Sequence, residues 1–187
     1  MLVNKKVSKP TLTNATLEHN RMKMSQITLY QPMRATKIDT IHGHAEYVPV
    51  DKTLAGFTTP EEAEKMLAIF RAKDPFGVYK VLDINYQYAT NYTQYEMYRN
   101  NFQDMRECSF NRGSLDTIKD GLFIAHNDHG DYAGTYASQK VAEIACHKTG
   151  CAKGEENIDT RKVFQTYAGY QRYITALKKR GEEITTR

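Results

Sequence analysis

The sequence predicts an α+β fold, in which a single mixed domain with a small sheet packed by several helices follows an extended basic N-terminal arm. Three observations support this prediction. The chain of 187 residues, with 40% hydrophobic and 26% charged residues, has the size and composition of one ordinary globular domain with an extension. Segments typical of strands alternate with segments typical of helices. The basic residues are concentrated near the N-terminal end.

Residues 1–24 form the predicted arm and residues 25–187 the predicted domain. The arm has neither helical nor strand periodicity and is rich in Lys, Ser, Thr and Asn, so we expect no core of its own there. Residues 1–37 contain seven basic residues and one acidic residue, whereas the rest of the chain contains 19 basic and 21 acidic residues. A solvated charged segment would show the same composition. If the arm contacts a polyanion such as nucleic acid, the residues expected to do so are Lys5, Lys6, Lys9, Arg21 and Lys23.

The first half of the domain is expected to contain strands on both sides of one helix. Residues 25–31 (SQITLYQ) and 36–50 (TKIDTIHGHAEYVPV) are rich in β-branched and aromatic residues, with Pro32 as a break, and predict two or three strands. Thr59 as the N-cap and Pro60 at the first helical position predict a helix over residues 58–75. A strand is expected at residues 76–85 (FGVYKVLDIN).

The second half is expected to be mostly helical. Helices are predicted over residues 91–105 and, as a short capped helix, over 113–121. A buried strand is predicted at 122–125 (LFIA), followed by a helix over 131–150 and a last helix over 159–181. No internal repeat is evident in the sequence.

Thirteen tyrosines and no tryptophan are an unusual aromatic content. Tyrosine has an apolar ring with a polar tip, which suits half-exposed surfaces and interfaces. At helical spacing such residues form either the edge of a core or a contact with a partner, and base stacking on them is a further use. The residues predicted to form an interface are Tyr92, Tyr95, Tyr98, Tyr170 and Tyr173.

Histidines at two places in the chain suggest a metal site. His42 and His44 would project from the same face if residues 38–46 are one strand. With ligands from residues 126–129 they would form a site for a divalent ion such as zinc or manganese. The candidate ligands are His42, His44, His126, Asp128 and His129.

A second candidate metal set is Cys146, His147 and Cys151, whose spacing lacks the paired C-x2-C of a structural zinc site. If residues 131–150 form one straight helix, its length of about 24 Å separates this set from His126 and Asp128. Ordinary loop and surface histidines explain the same pattern without a metal. The primary expectation is that the chain binds no cofactor.

Other function classes find little support in the sequence. There is no phosphate-binding glycine motif and no G-x-S-x-G nucleophile motif. Three cysteines without an export signal predict reduced thiols, and no apolar run is long enough to cross a membrane. We therefore expect an intracellular, cytoplasmic protein or one inside a virion, with no membrane partner.

The function expected from these features is that of a non-enzymatic interaction or assembly protein. It would dock on a larger complex of other protein subunits through the basic arm and the tyrosine-rich helices, with nucleic acid as a further partner. Viral and phage structural proteins are built in this way, by analogy of architecture. Two alternatives remain open: a metal-dependent nuclease or other hydrolase that uses the histidine cluster, and a small inhibitor of a host protein.

Overall fold

A fifteen-residue strand, β1 (Ser25–Asp39), is the longest element of the fold. The computed structural model describes residues 13–14, 21–100 and 109–181. These residues form one α+β domain with a mixed eight-stranded sheet and four helices, which confirms the predicted fold class. The other strands are β2 (His44–Pro49), β3 (Leu54–Phe57), β4 (Tyr79–Tyr88), β5 (Asn111–Arg112), β6 (Leu122–His126), β7 (Tyr132–Tyr136) and β8 (Asn157–Phe164). The helices are α1 (Pro60–Lys73), α2 (Tyr92–Asn100), α3 (Gln139–Lys148) and α4 (Tyr167–Lys179).

Three sequence predictions about these elements are wrong. Pro32 does not break β1, because it lies within the strand opposite Val81 of β4. Residues 115–120 form turns in place of the short helix. The two long helices predicted over residues 131–150 and 159–181 each begin as a strand, β7 and β8, and become helical only afterwards. The helix predicted from Thr59 and Pro60 is confirmed as α1, with Thr59 as its N-cap.

The elements form two copies of the same strand-strand-helix-strand-helix arrangement, although no repeat was evident in the sequence. The first copy is β1, β3, α1, β4 and α2, and the second is β6, β7, α3, β8 and α4. In the first copy β1 pairs antiparallel with β3 and with β4. In the second copy β6 pairs antiparallel with β7 and with β8. The hairpin strand β2 is an insertion in the first copy only.

Equivalent contacts join the two copies. Strand β3 runs parallel to β8, and Thr58 N donates to Phe164 O at 3.2 Å. The equivalent bond, from Ala137 N to Ala89 O, is 3.1 Å long. The second bond belongs to a parallel bridge between the end of β4 and β7. The strands therefore lie side by side in the order β4, β1, β3, β8, β6 and β7. The bridge at Ala89 joins the first strand of this order, β4, to the last, β7.

Two of the core clusters of the described residues combine helices from both copies. Helix α1 packs against α4, and α2 packs against α3. The ring of Tyr170 meets that of Phe57 at 6.1 Å and 73°, and the ring of Tyr95 meets that of Tyr136 at 6.0 Å and 71°. Because each pair of helices draws one member from each copy, neither copy covers its own apolar surface alone.

Candidate nucleic-acid interface

Helix α2 places three tyrosines at spacings of three residues. Asn91 Oδ1 accepts a hydrogen bond from Gln94 N at 3.0 Å and so caps the helix start. Tyr95 points into the core and is 7% exposed, with edge contacts to the rings of Tyr132 and Tyr136. Tyr92 and Tyr98 flank it and are half-buried. The inner face of α2 is therefore core, and only its flanks reach the surface.

Tyr132 extends the exposed aromatic area beside α2. Its side chain is 55% exposed, and its hydroxyl lies 2.8 Å from Thr135 Oγ1. Tyr98 packs against Phe110 at 5.7 Å and donates to Gln87 Oε1 at 3.3 Å. Burial raises the pKa of Tyr95, so this phenol stays neutral at physiological pH.

Basic residues lie on and beside α2. Lys148 Nζ lies 5.4 Å from the centroid of the Tyr92 ring, within cation–π range. Arg99 is exposed in the last turn of α2. Gln94 Nε2 donates to Arg21 O at 2.6 Å, which fixes the end of the arm to α2. We call the set of Tyr92, Tyr98, Tyr132, Arg21, Arg99 and Lys148 the aromatic–basic surface.

The end of the predicted arm is part of the domain. Met24 is 3% exposed and belongs to the core cluster that includes Tyr95. Its carbonyl accepts from Asn111 N at 2.9 Å. Arg21 is exposed and Lys23 half-buried, while Lys5, Lys6 and Lys9 lie outside the described residues. Described contacts between the predicted arm and the rest of the domain thus include those of Arg21 and Met24, which precede β1 by four residues and by one.

The tyrosines of α4 lie mainly in the core. Tyr170 is 6% exposed, and its hydroxyl donates to the buried carboxylate of Asp51 at 2.6 Å. Tyr173 is half-buried with its ring 5.4 Å from that of Phe164. Tyr95 and Tyr170 are therefore core residues that a partner does not reach in the folded chain. An interface role remains a prediction for Tyr92, Tyr98 and Tyr173.

The predicted histidine pair does not lie on one strand. His42 is in the turn between β1 and β2, and its Nδ1 lies 2.8 Å from Asp39 Oδ2. His44 is the first residue of β2 and is exposed. A turn at Gly43, where φ is +68°, reverses the chain between them. The expectation of two imidazoles on one strand face is wrong for this reason.

The other predicted metal ligands lie at the end of β6. His126 Nε2 is 3.8 Å from Asp159 Oδ2, and His126 Nδ1 is buried without a hydrogen-bond partner. Asp128 and His129 are in the exposed turn that follows, with 3.8 Å between His129 Nε2 and Asp128 Oδ1. Within the described ranges, no three His, Cys, Asp or Glu side chains are grouped to hold a metal ion. The structure does not bring the five predicted ligands together.

The two ends of the segment 123–151 lie close together, so the predicted separation of about 24 Å is wrong. Cys151 Sγ lies 3.5 Å from His126 O, and a Cβ at Gly150 would fall 2.6 Å from Asp128 Cγ. The residues of the second candidate metal set, Cys146, His147 and Cys151, make contacts with other groups. Cys146 Sγ lies 3.6 Å from Asn157 O, and His147 Nε2 contacts Glu156. Both thiols are free and buried.

Sequence reasoning missed three members of the aromatic–basic surface. Tyr132 was expected to lie in a helix, and Lys148 was not among the residues expected to contact a polyanion. Arg99 immediately follows Tyr98, so a basic residue at the end of a tyrosine stripe was the available signal. No pattern in the sequence indicates that Tyr132 lies near α2, because this proximity depends on the packing of β7.

Comparisons with protein-family models, with curated proteins and with solved structures gave no match. Of the helices in the described part of the chain, none has the length and apolar character needed to cross a membrane.

Proposed function

We propose that this chain is a non-enzymatic interaction protein that binds nucleic acid, within a larger assembly, through the aromatic–basic surface and the basic arm. One observation carries the proposal: partly exposed tyrosine rings on α2 and β7 share this part of the domain with Lys148, with Arg99 of α2 and with Arg21, which is hydrogen-bonded to α2 through its backbone carbonyl. Aromatic rings with adjacent cations are the combination that binds single strands, since the bases stack and the cations neutralise phosphates.

The arm supports the same proposal. The hydrogen bond between Gln94 and Arg21 O joins the arm to the surface that carries the tyrosines. The C-terminal end of the arm therefore lies next to the helix that carries Tyr92 and Tyr98, and the positive charge of the arm would add affinity for phosphates without reading sequence. The exposed Glu96 on α2 is an opposing charge, and it lies on the same helix as Arg99.

The test of the aromatic rings measures binding of fluorescein-labelled single-stranded DNA and RNA by fluorescence anisotropy. Each stacked base contributes about 1–3 kcal/mol, so the double variant Tyr92→Ala/Tyr132→Ala should weaken binding by at least about tenfold. Tyr47→Ala is the matched control, because Tyr47 is half-buried on β2 with Lys80 Nζ 4.3 Å from its ring centroid. Absence of binding by the unaltered chain, or equal losses in both variants, would refute the proposal.

The arm is tested by deletion of residues 1–20. The deletion stops before Arg21 because the described contacts with α2 and β5 begin there. We expect an unchanged thermal unfolding curve together with weaker binding and a smaller dependence of the binding constant on salt between 50 and 200 mM. Binding that keeps the same salt dependence after deletion would exclude the arm from the interface.

A further inference from the structure

The outer face of α4 is a second exposed surface with a strong positive charge. Gln171, Arg172, Thr175 and Lys179 are exposed on this face. They line one shallow depression together with Ala168 and Ala176, whose small side chains leave the cations accessible. Arg172 and Lys179 are seven residues apart, which is about 10 Å along a helix.

The charge of α4 is not balanced by ion pairs within the described residues. Residues 160–181 contain six basic residues and no acidic residue, and Glu182 and Glu183 follow in the sequence. In the described part of the chain, no ion pair involves Arg172, Lys178, Lys179 or Arg180.

Helix α1, which packs on α4, shows the opposite pattern. Two of its three cations, Lys65 and Arg71, pair with Glu62 and Glu64. Glu62 also accepts from Tyr167 N at 2.8 Å, so this carboxylate is engaged at the start of α4 and away from Lys179. As far as the described residues show, the cations of α4 therefore remain available for an external anion.

The position of α4 separates this face from the aromatic–basic surface. Helix α4 packs on α1, whereas α2 packs on α3, so the two helices belong to different core clusters. The outer face of α4 also differs in composition: Arg172 and Lys179 stand among small and polar residues, with no ring among Ala168, Gln171, Thr175 and Ala176. Such a face matches phosphates and offers no stacking.

We propose that the outer face of α4 is a second nucleic-acid contact, which binds the phosphate backbone only, so that one chain holds two segments of nucleic acid. This inference rests on the proposed function for the class of ligand. The contact proposed on α4 uses other residues than the proposed function does, because none of its residues belongs to the aromatic–basic surface.

The test compares Arg172→Gln/Lys179→Gln with Lys52→Gln/Lys119→Gln, a control that removes the same charge from exposed positions elsewhere. All four positions are exposed, so both variants should keep the fold. The binding constant for a labelled single strand is measured as a function of salt. Each lost phosphate contact lowers the slope of log K against log salt by about 0.7, so we expect a fall of about 1.4 for the α4 variant and a clearly smaller one for the control. Equal slopes in the two variants would overturn the inference.

A second experiment tests the two contacts directly. Two oligonucleotides with donor and acceptor dyes are mixed with the protein, and energy transfer reports that one chain holds both. We expect transfer with the unaltered chain and its loss in Arg172→Gln/Lys179→Gln, which should still bind one oligonucleotide. Binding without transfer in the unaltered chain would overturn the inference and leave the proposed function intact. Binding lost with α4 but unaffected by Tyr92→Ala/Tyr132→Ala would overturn the role of the aromatic–basic surface instead.

Discussion

Gly134 lies in the middle of β7 with a φ of +113°, and a Cβ there would come within 2.5 Å of the Tyr136 hydroxyl. That hydroxyl donates to Ala133 O at 2.9 Å inside the core. Glycine is therefore required both by the backbone conformation and by the packing of Tyr136.

Gly134→Ala should lower the free energy of unfolding by at least about 2 kcal/mol, from backbone strain and displacement of the Tyr136 ring. Gly130→Ala is the matched control, because Gly130 has a φ of +84° but open space around it. Urea unfolding of both variants measures the difference. Equal losses would show that packing against Tyr136 contributes nothing.

Tyr170 and Tyr95 occupy equivalent positions in the two copies but differ in one hydrogen bond. Tyr170 donates to Asp51, a carboxylate with 1% of its surface exposed. Among the described residues, no carboxylate accepts from the Tyr95 hydroxyl. Burial raises the pKa of Tyr170, which keeps it a neutral donor.

Tyr170→Phe leaves one oxygen of Asp51 without its donor, so we expect a loss of about 1–3 kcal/mol of stability. Tyr95→Phe removes no such bond and should cost clearly less. Chemical denaturation of the two single variants provides the comparison, and a Tyr95→Phe loss as large as that of Tyr170→Phe would contradict this account.

Helix α3 is joined to the start of β8 by a carboxylate. The backbone N–H groups of Glu156 and Gly154, together with His147, hold the pKa of Glu156 at about 2, below its ordinary value of 4.5. A carboxyl group with a lowered pKa stabilises the folded state above its ordinary pKa, and this stabilisation is lost as the pH falls towards the lowered value. The window for this group is therefore about pH 4.5 to 2.

Glu156→Gln should flatten the fall in melting temperature across that window, because glutamine does not titrate. Glu155→Gln, at the exposed neighbouring position, serves as the control. Melting temperatures are measured by circular dichroism at several pH values. If both variants follow the unaltered chain through the window, the contact of Glu156 with His147 and Gly154 contributes no pH dependence.

At the scale of elements, local signals predicted α1, α2, β4 and β6, whose patterns are undisturbed by neighbouring elements. The prediction was wrong where a short strand leads directly into a helix, as β7 does into α3 and β8 into α4. Phe164 of β8 lies three residues before Tyr167 of α4, which in turn lies three residues before the buried Tyr170. One helical stripe therefore ran across two elements of different kind.

The predicted site could be read from the sequence only in part. Spacing identified Tyr92, Tyr95 and Tyr98 as one helix face, but it does not tell which of them is buried. The contact that buries Tyr95 comes from Tyr136, 41 positions along the chain. The histidines failed because the turn at Gly43, which ends β1, could not be distinguished from a continuous strand.

The stability of the whole molecule depends on the packing of helices of one copy against helices of the other. Fragments 1–104 and 105–187, which separate the copies, should each fail to fold cooperatively because α1 then lacks α4 and α3 lacks α2. Mixed, they should recover the circular dichroism of the intact chain as a complex of one fragment with the other. Cooperative unfolding of either fragment alone would contradict the interdependence of the copies.

The pairing of β3 with β8 has a consequence for synthesis of the chain. All four residues of β3 are buried, and the contact from Thr58 to Gln165 beside this pairing joins residues 107 positions apart. Contacts between such distant residues slow folding, since a long loop must close before they form. On the ribosome, β3 therefore emerges long before its partner and presents an apolar, unpaired edge. The period before β8 is translated is the time at which this protein is most exposed to aggregation and most dependent on chaperones.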